Sequence, residues 1–464
     1  NPYLYVHTAK NILESMNLYN SSYLNITFAK YLVFRQSLGY GYSQDKRNQY
    51  YNRYISGGVK PTNGYASQSD SYYESVTAES TLSFNKDFGK INHIDAVAGY
   101  TYENVNWGGK SMSGHGFAND INEENNMNAA LVQDPNYSNK GKTSLMSYLG
   151  RINYILMDKY LITASFRSDG SSRLANNRWA NFASGALAWR LSEEKFIKQL
   201  GLFDNLKLRV SYGQTGNQGI NAYATRSRMT IQQYPIDGSL TNGFAEDRWG
   251  GPASPNLKWE TTTQYNAGLD ISILKNRVNF VIDAYKKYTS DLLQYVYIPI
   301  STGFSSIASN YGNVENKGLE LAGNFFLIQN KDFTWKMDAN ISFNRNKIGG
   351  LNSDQFSDVC WGMESMFLRR NGQPIGIIYG YQEDGFFDNE AEVRAYKMYK
   401  NETDAKIRSM IGQIKYKDNN GDGVIDPLDK AIIGNTNPDF TYGYTNSFTY
   451  KDISLSFFFQ GTQG

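Results

Sequence analysis

The residues best suited to chemistry run from Asp418 to Asp429, in the order Asp418-Asn419-Asn420-Gly421-Asp422-Gly423-Val424-Ile425-Asp426-Pro427-Leu428-Asp429. Asp418, Asn420 and Asp422 supply side-chain oxygens at positions 1, 3 and 5 of a loop, and Gly423 stands at position 6. Val424 offers a backbone carbonyl at position 7, and Asp426 and Asp429 place carboxylates at 9 and 12. That spacing is the EF-hand calcium pattern: a hard cation takes six to eight oxygens, and the glycine permits the sharp turn that wraps the backbone round it. Ca2+ is the cofactor expected here. Position 12 is Asp429 where Glu is usual, so a shorter arm binding through one oxygen is expected to weaken affinity. No helical pattern flanks the loop, which predicts a calcium-clipped connection and not a helix–loop–helix switch. The competing reading is an Asn/Asp/Gly-rich turn that hydrogen-bonds only to itself.

No other constellation points to catalysis. His7, His93 and His115 are scattered singly, and Cys360 is the only cysteine, which excludes an internal disulfide and a cysteine-based zinc site. There is no G-x-S-x-G, phosphate-binding loop or zinc motif. The adjacent carboxylates Glu123/Glu124 and Glu193/Glu194 read as solvated faces, so no enzyme is expected. Trp107, Trp249 and Trp361 are read as loop aromatics that either stack on sugar rings and peptide side chains or simply pack their loops. A formal net charge of +2 gives no bulk electrostatic case for nucleic acid.

The elements that must position these residues are long strands. From Trp259 the odd positions read Trp259, Thr261, Thr263, Tyr265, Ala267, Leu269, Ile271, Ile273, while the even ones carry Glu260, Gln264, Asn266, Gly268 and Asp270. After Leu274-Lys275-Asn276 the chain returns as Val278, Phe280, Ile282, Ala284 against Asn279, Asp283, Tyr285 and Lys287. Only a strand with one apolar and one polar face keeps a period of two this long, and the mean globular strand is only about 5–6 residues. The same alternation marks Met146–Leu156 with Tyr160–Arg167, Leu319–Leu327 with Phe333–Phe343, and Phe440–Tyr450 with Ile453–Gln460. Mean hydropathy is −0.54 although aromatics make up 15% of the chain. A membrane barrel gives that combination, because only alternate strand residues face lipid and aromatics ring both interfaces.

Short turns are expected at 29–30, 85–89, 157–159, 274–276, 330–332 and 450–452, with long polar loops between them. Loops are expected at 45–69, 108–141, 216–257 and 301–313, and a long excursion at 347–438 with a helix near Glu390–Tyr399. A short helix is expected over Ala9–Met16, and another over Glu193–Leu200 capped by Ser192. Short turns at one end and long loops at the other is the outer-membrane barrel arrangement, periplasmic against extracellular. The fold class is therefore all-β: a transmembrane antiparallel β-barrel of about fourteen long strands. The polar faces nominate a lumen wall of Arg151, Asn153, Arg167, Glu260, Gln264, Asn266, Asp270, Glu320, Asn324, Asp338 and Asn340.

From about residue 140 onward the sequence resembles the SusC/RagA family of TonB-dependent outer-membrane transporters. The resemblance is carried in order by Phe166 to Arg173, Asn177 to Phe182, Ala188 to Glu194, Leu206 to Gln218, Asn256 to Thr262 and Asn313 to Glu320. The Asp418 to Asp429 loop and Gly434 to Phe440 complete it, and the first hundred or so residues fit only loosely. The resemblance implies a 22-stranded barrel with an N-terminal plug and TonB box, in the outer membrane of Bacteroidota. It implies a SusD-like surface lipoprotein over the mouth and uptake of oligosaccharides or peptides. The sequence shows neither plug nor TonB box and is read as the middle and later part of one barrel domain, about 14 of the 22 strands, lacking the last ones. A non-transporting surface binding or adhesion barrel and a siderophore-type receptor are the alternatives.

Overall fold

Neighbouring strands cross-link residue by residue over lengths that few soluble sheets reach. The computed structural model describes residues 6, 8–55, 63–236, 238–247, 250–357 and 366–464. His7, Trp249, Cys360 and Trp361 lie outside the described residues. The chain divides into two compact units, Asn1–Leu187 with Gly213–Glu260 and Leu293–Asn310, and Ala188–Tyr212 with Thr261–Leu292 and Tyr311–Gly464.

Seven long strands belong mainly to the first unit: β1 (Lys10–Ala29), β2 (Leu32–Tyr51), β3 (Tyr65–Phe88), β4 (Asn92–Phe117), β5 (Tyr137–Leu156), β6 (Tyr160–Ser171) and β7 (Trp179–Arg190). They are hydrogen-bonded in chain order, with antiparallel registers from β1 through β6. β3 and β4 run for 24 and 26 residues. Seven more belong mainly to the second unit: β8 (Phe203–Asn217), β9 (Glu260–Ile273), β10 (Val278–Ser290), β11 (Asn313–Gln329), β12 (Phe333–Gly349), β13 (Phe440–Tyr450) and β14 (Ile453–Gln463). They too follow chain order, antiparallel from β9 through β14.

Register fixes which side chains share a face. Ala98 stands opposite Gly150 and Gly150 opposite Phe166, whereas one residue along Val97, Arg151 and Ser165 fill the other face. Leu269–Ile282–Leu321–Ile341 makes an apolar row in the second unit, and Gly268–Asp283–Glu320–Ser342 the polar row beside it. The apolar faces are bare: Ile152 is 55% exposed and Phe166 53%. Leaving such side chains in water forfeits about 1.5–3 kcal/mol apiece, and exposed apolar area this continuous marks a membrane or partner surface.

Turn chemistry supports the alternation. The β5–β6 turn puts Met157 and Asp158 at φ 53° and 56°, the double positive φ of a type I′ hairpin, whose twist matches the flanking strands. At the β9–β10 turn Leu274, Lys275 and Asn276 are all left-handed. There Asp204 accepts a hydrogen bond from the Asn276 backbone N–H at 2.9 Å, one fixed bond against the strain of a non-glycine left-handed run.

Several expected boundaries move. The helix expected over Ala9–Met16 is strand, because β1 already starts at Lys10. The loops expected at 45–69 and 108–141 are shortened at both ends, because β2 runs to Tyr51, β3 starts at Tyr65, β4 runs to Phe117 and β5 starts at Tyr137. Those ends alternate between polar residues, so no hydropathy signal marks them. The expected loop 216–257 holds a hairpin, Met229–Ile236 with Ser239–Glu246, and 301–313 holds Ser306–Asn310, paired with Leu293–Tyr297. Ser192 caps nothing; a 3-10 turn at Leu191–Glu193 leads into a single helical turn at Lys195–Lys198 with Glu194 at its N-cap. The excursion after β12 carries the expected helix as Glu390–Ala395, capped by Asn389, and a second one at Asp404–Met410. These two pack a small core of Phe387, Val393, Ile407 and Met410. Trp259 leaves the apolar face altogether: it is 6% exposed in a cluster with Leu174, Phe182 and Leu257. Its indole N–H donates to the Arg178 carbonyl at 2.9 Å.

Candidate functional site: the polar face and the acidic loop

Arg151 and Asn153 sit two residues apart on β5, so they project from the same face and meet. The Arg151 Nε donates to Asn153 Oδ1 at 3.1 Å, and Asn153 Nδ2 donates to Asp95 on β4 at 2.9 Å. Thr163 on β6 donates to the same Asn153 oxygen at 2.9 Å. Arg167 donates to Asp169 at 2.6 Å and to Ser147 at 3.0 Å. Glu260 stands apart at the head of β9, accepting from the Leu293 backbone N–H at 3.0 Å and from Asn217 at 3.2 Å.

In the second unit the polar face is organised by a cation that sequence reading missed. Arg209 on β8 forks onto Asp270 on β9, with Nε to Oδ2 at 3.0 Å and Nη2 to Oδ1 at 2.7 Å. The same Nη2 reaches Asp283 on β10 at 3.1 Å, and Lys207 approaches Asp270 at 3.6 Å. Gly268 makes the cluster possible: a Cβ there would lie 2.4 Å from the Asp283 carboxylate and 2.7 Å from the guanidinium. The planar five-donor fork of arginine suits two carboxylates as a lysine would not. The available signal was parity, since Lys207, Arg209 and Ser211 alternate with Leu208, Val210 and Tyr212. Farther along, Asn324 donates to Asp338, which also pairs with Lys336 at 2.9 Å. Glu320 lies directly across from Asp283. Gln264, Asn266 and Asn340 share this polar face and join none of these clusters.

The acidic loop has its own logic. Asp418 accepts the N–H groups of Gly421 at 2.6 Å and Gly423 at 2.6 Å. Asp422 accepts from Val424 at 2.8 Å and Asp426 from Leu428 at 2.8 Å. Asp429 is 0% exposed. It accepts from the Asn419 N–H at 2.8 Å and the Asp426 N–H at 2.9 Å, the latter closing a capping box on the 3-10 turn Pro427–Asp429. The oxygens at positions 1, 5, 9 and 12 thus turn toward backbone amides. Among the described residues no three carboxylate, imidazole or thiolate groups converge on one point as metal ligands do; the residues expected as ligands, Asp418, Asn420, Asp422, Val424, Asp426 and Asp429, stand in order along this loop. No Lys or Arg pairs with any of the four carboxylates among the described residues. Asp418 Oδ1 accepts from both Gly421 and Asp422, and Asp429 Oδ1 from both Asn419 and Asn420, whereas oxygens that accept a single N–H, such as Asp422 Oδ1 and Asp426 Oδ1, keep a second lone pair for a cation.

The N–H donated by Asp426 holds the Asp429 carboxyl below the usual carboxylate range against the opposing effect of burial, with the Asn420 and Asn419 N–H groups adding to it. A carboxylate with a depressed folded pKa contributes stability that is complete above its ordinary pKa and lost as pH falls through the folded value. Hydrogen-exchange protection of the Asn419, Asn420 and Asp426 amides is therefore expected to stay level through neutral pH. It should collapse only well into acid, below about pH 4. Asp429→Asn should abolish that dependence and weaken protection at neutral pH; an unchanged profile would contradict the assignment.

Residues 9–399 match the family model described as TonB dependent receptor-like, beta-barrel. TonB-dependent receptor SusC of Bacteroides thetaiotaomicron is 35% identical over 327 residues, 68% of this chain and 31% of that protein. TonB-dependent receptor P26 of Formosa agariphila is 33% identical over 393 residues, 83% of this chain and 38% of that protein. Among solved structures, the RagAB peptide transporter superposes with a TM-score of 0.83 at 22% identity, covering 99% of this chain and 49% of that one, which bears on fold alone. The chain spans less than half the length of each of these relatives.

Proposed function

We propose, from the premise that this chain belongs to the TonB-dependent receptor-like β-barrel family and is of its SusC/RagA type, that it forms barrel wall of an outer-membrane importer. Members of this family are outer-membrane receptors and importers, not enzymes. The observation that carries the proposal is the segregation of faces: bare Ile, Leu and Phe rows on one side, and Arg–Asp–Asn networks on the other. Lipid would take the first and a water-filled lumen the second, so that every backbone group stays paired within the membrane. The eleven polar-face residues from Arg151 to Asn340 would line the solute path. By analogy with SusC and the RagAB peptide transporter, the solutes would be oligosaccharides or peptides, with energy supplied through TonB and a SusD-like lipoprotein at the mouth. Deleting the gene should abolish growth on a peptide or oligosaccharide source, and deleting TonB should do the same. Growth unaffected by either deletion would overturn the proposal.

Calcium at the Asp418–Asp429 loop is the second part. Hard oxygen donors at the required spacing support it, as do four carboxylates without a cationic partner among the described residues, one of them, Asp429, fully buried. Bound there, calcium would supply charge neutralisation, and the loop would hold it through the Asp418, Asn420, Asp422, Asp426 and Asp429 side chains and the Val424 carbonyl. Calorimetry on the full-length protein is expected to give micromolar to millimolar binding that Asp418→Ala removes. No heat at millimolar calcium would remove the claim.

A further inference from the structure

On the polar face of the first unit a cavity of about 320 Å3 opens between β3, β4, β5 and the chain that follows β6. Tyr73 and Trp107 stand opposite each other across β3 and β4 and wall it with two rings. The indole has room because residue 141 is glycine: a Cβ there would fall 2.3 Å from the Trp107 ring. Glu103 shares the face of Trp107, four residues back along β4, and Val105, Thr143, Ser144, Leu145, Arg173 and Gln218 complete the lining. Among the described residues the Glu103 carboxylate has neither an ion-pair nor a hydrogen-bond partner. The Arg173 guanidinium donates to the Ile220 carbonyl at 2.5 Å and, among the described residues, pairs with no carboxylate. The cavity therefore holds one open negative group, one open positive group and two aromatic surfaces.

We propose that this cavity is a recognition subsite for a peptide segment bearing both a cationic and an anionic group. Glu103 takes the cation, Arg173 the carboxylate, and the rings of Tyr73 and Trp107 hold the apolar stretch between. The inference rests on the importer reading and adds a substrate class to it. The choice of peptide follows from desolvation. A neutral sugar entering the cavity would strip water from both charges and return only uncharged hydrogen bonds. A uronate would answer Arg173 and leave Glu103 facing its own carboxylate. A ligand with both signs answers each charge with a charge-assisted bond, about twice as strong as a neutral one.

The test uses the full-length transporter in detergent, titrated calorimetrically with a hexapeptide containing one Lys and one Asp. Parallel titrations use its Lys→Gln and Asp→Asn versions, a neutral hexasaccharide and a uronate hexasaccharide. The two-charge peptide is expected to bind tightest. Glu103→Gln should weaken it about ten- to a hundredfold yet leave the peptide lacking Lys unaffected, and Arg173→Gln should do the same with respect to the Asp. Glu103→Gln keeps side-chain shape while Arg173→Gln shortens it, and unchanged melting temperatures would show that the fold is intact in both. Equal or tighter binding of either saccharide, or affinities indifferent to both substitutions, would overturn the subsite. In that event, saccharide uptake that still requires the gene would leave the importer reading standing, so the two failures are told apart.

Discussion

Leu82→Lys is expected to cost about 2–4 kcal/mol of barrel stability, the price of a lysine at mid-depth on a lipid face, whereas Ser83→Lys, one residue on, stays within about 0.5 kcal/mol. Leu82 lies in the apolar row with Phe34 and Ala98, and Ser83 on the opposite face, between Val33 and Val97 and in line with Arg151. Neither side chain contributes to a polar network, so the two variants differ only in which face receives the ammonium. Urea titration of the full-length protein in vesicles, read by heat-modifiable migration, compares them directly. Equal effects would mean that the faces do not meet different solvents.

Arg209→Ala is expected to destabilise by about 2–3 kcal/mol. It leaves Asp270 and Asp283 on neighbouring strands with Lys207, 3.6 Å from Asp270, as the remaining cation. The figure falls below the 3–5 kcal/mol of a fully buried pair, because the Arg209 side chain is 30% exposed and water screens part of the charge. Asp270→Asn in the Arg209→Ala background should recover part of the loss, since it removes one of two uncompensated charges; a double variant no better than the single would mean that packing, not charge, holds the cluster.

How much of this was legible in sequence follows from what each residue answers to. Strands such as β9 and β10 declare themselves because one face must be apolar and the other polar, and both the period and the turn at Leu274–Asn276 survive in the structure. The far ends of β2, β3 and β4 carry polar residues on both faces, so hydropathy does not alternate there and they read as loops. Trp259 fits the alternation by type and breaks it by position, because its partners Leu174 and Phe182 come from segments about eighty residues earlier. Asp270 could be nominated from parity alone, but its partner Arg209 depends on the β8–β9 register, which no local signal encodes. In the acidic loop the spacing was visible; the preference of its oxygens for backbone amides was not, since that depends on backbone angles.

The account depends on the two faces of these strands meeting different media. Single nitroxide labels at each position from 146 to 156 in the full-length protein, reconstituted in lipid, would measure accessibility to oxygen against a water-soluble nickel chelate. The account predicts a period of two, with oxygen favoured at Tyr148, Gly150, Ile152 and Tyr154 and nickel favoured at Leu149, Arg151 and Asn153. Accessibility without alternation, or nickel reaching Ile152 as readily as Arg151, would contradict it.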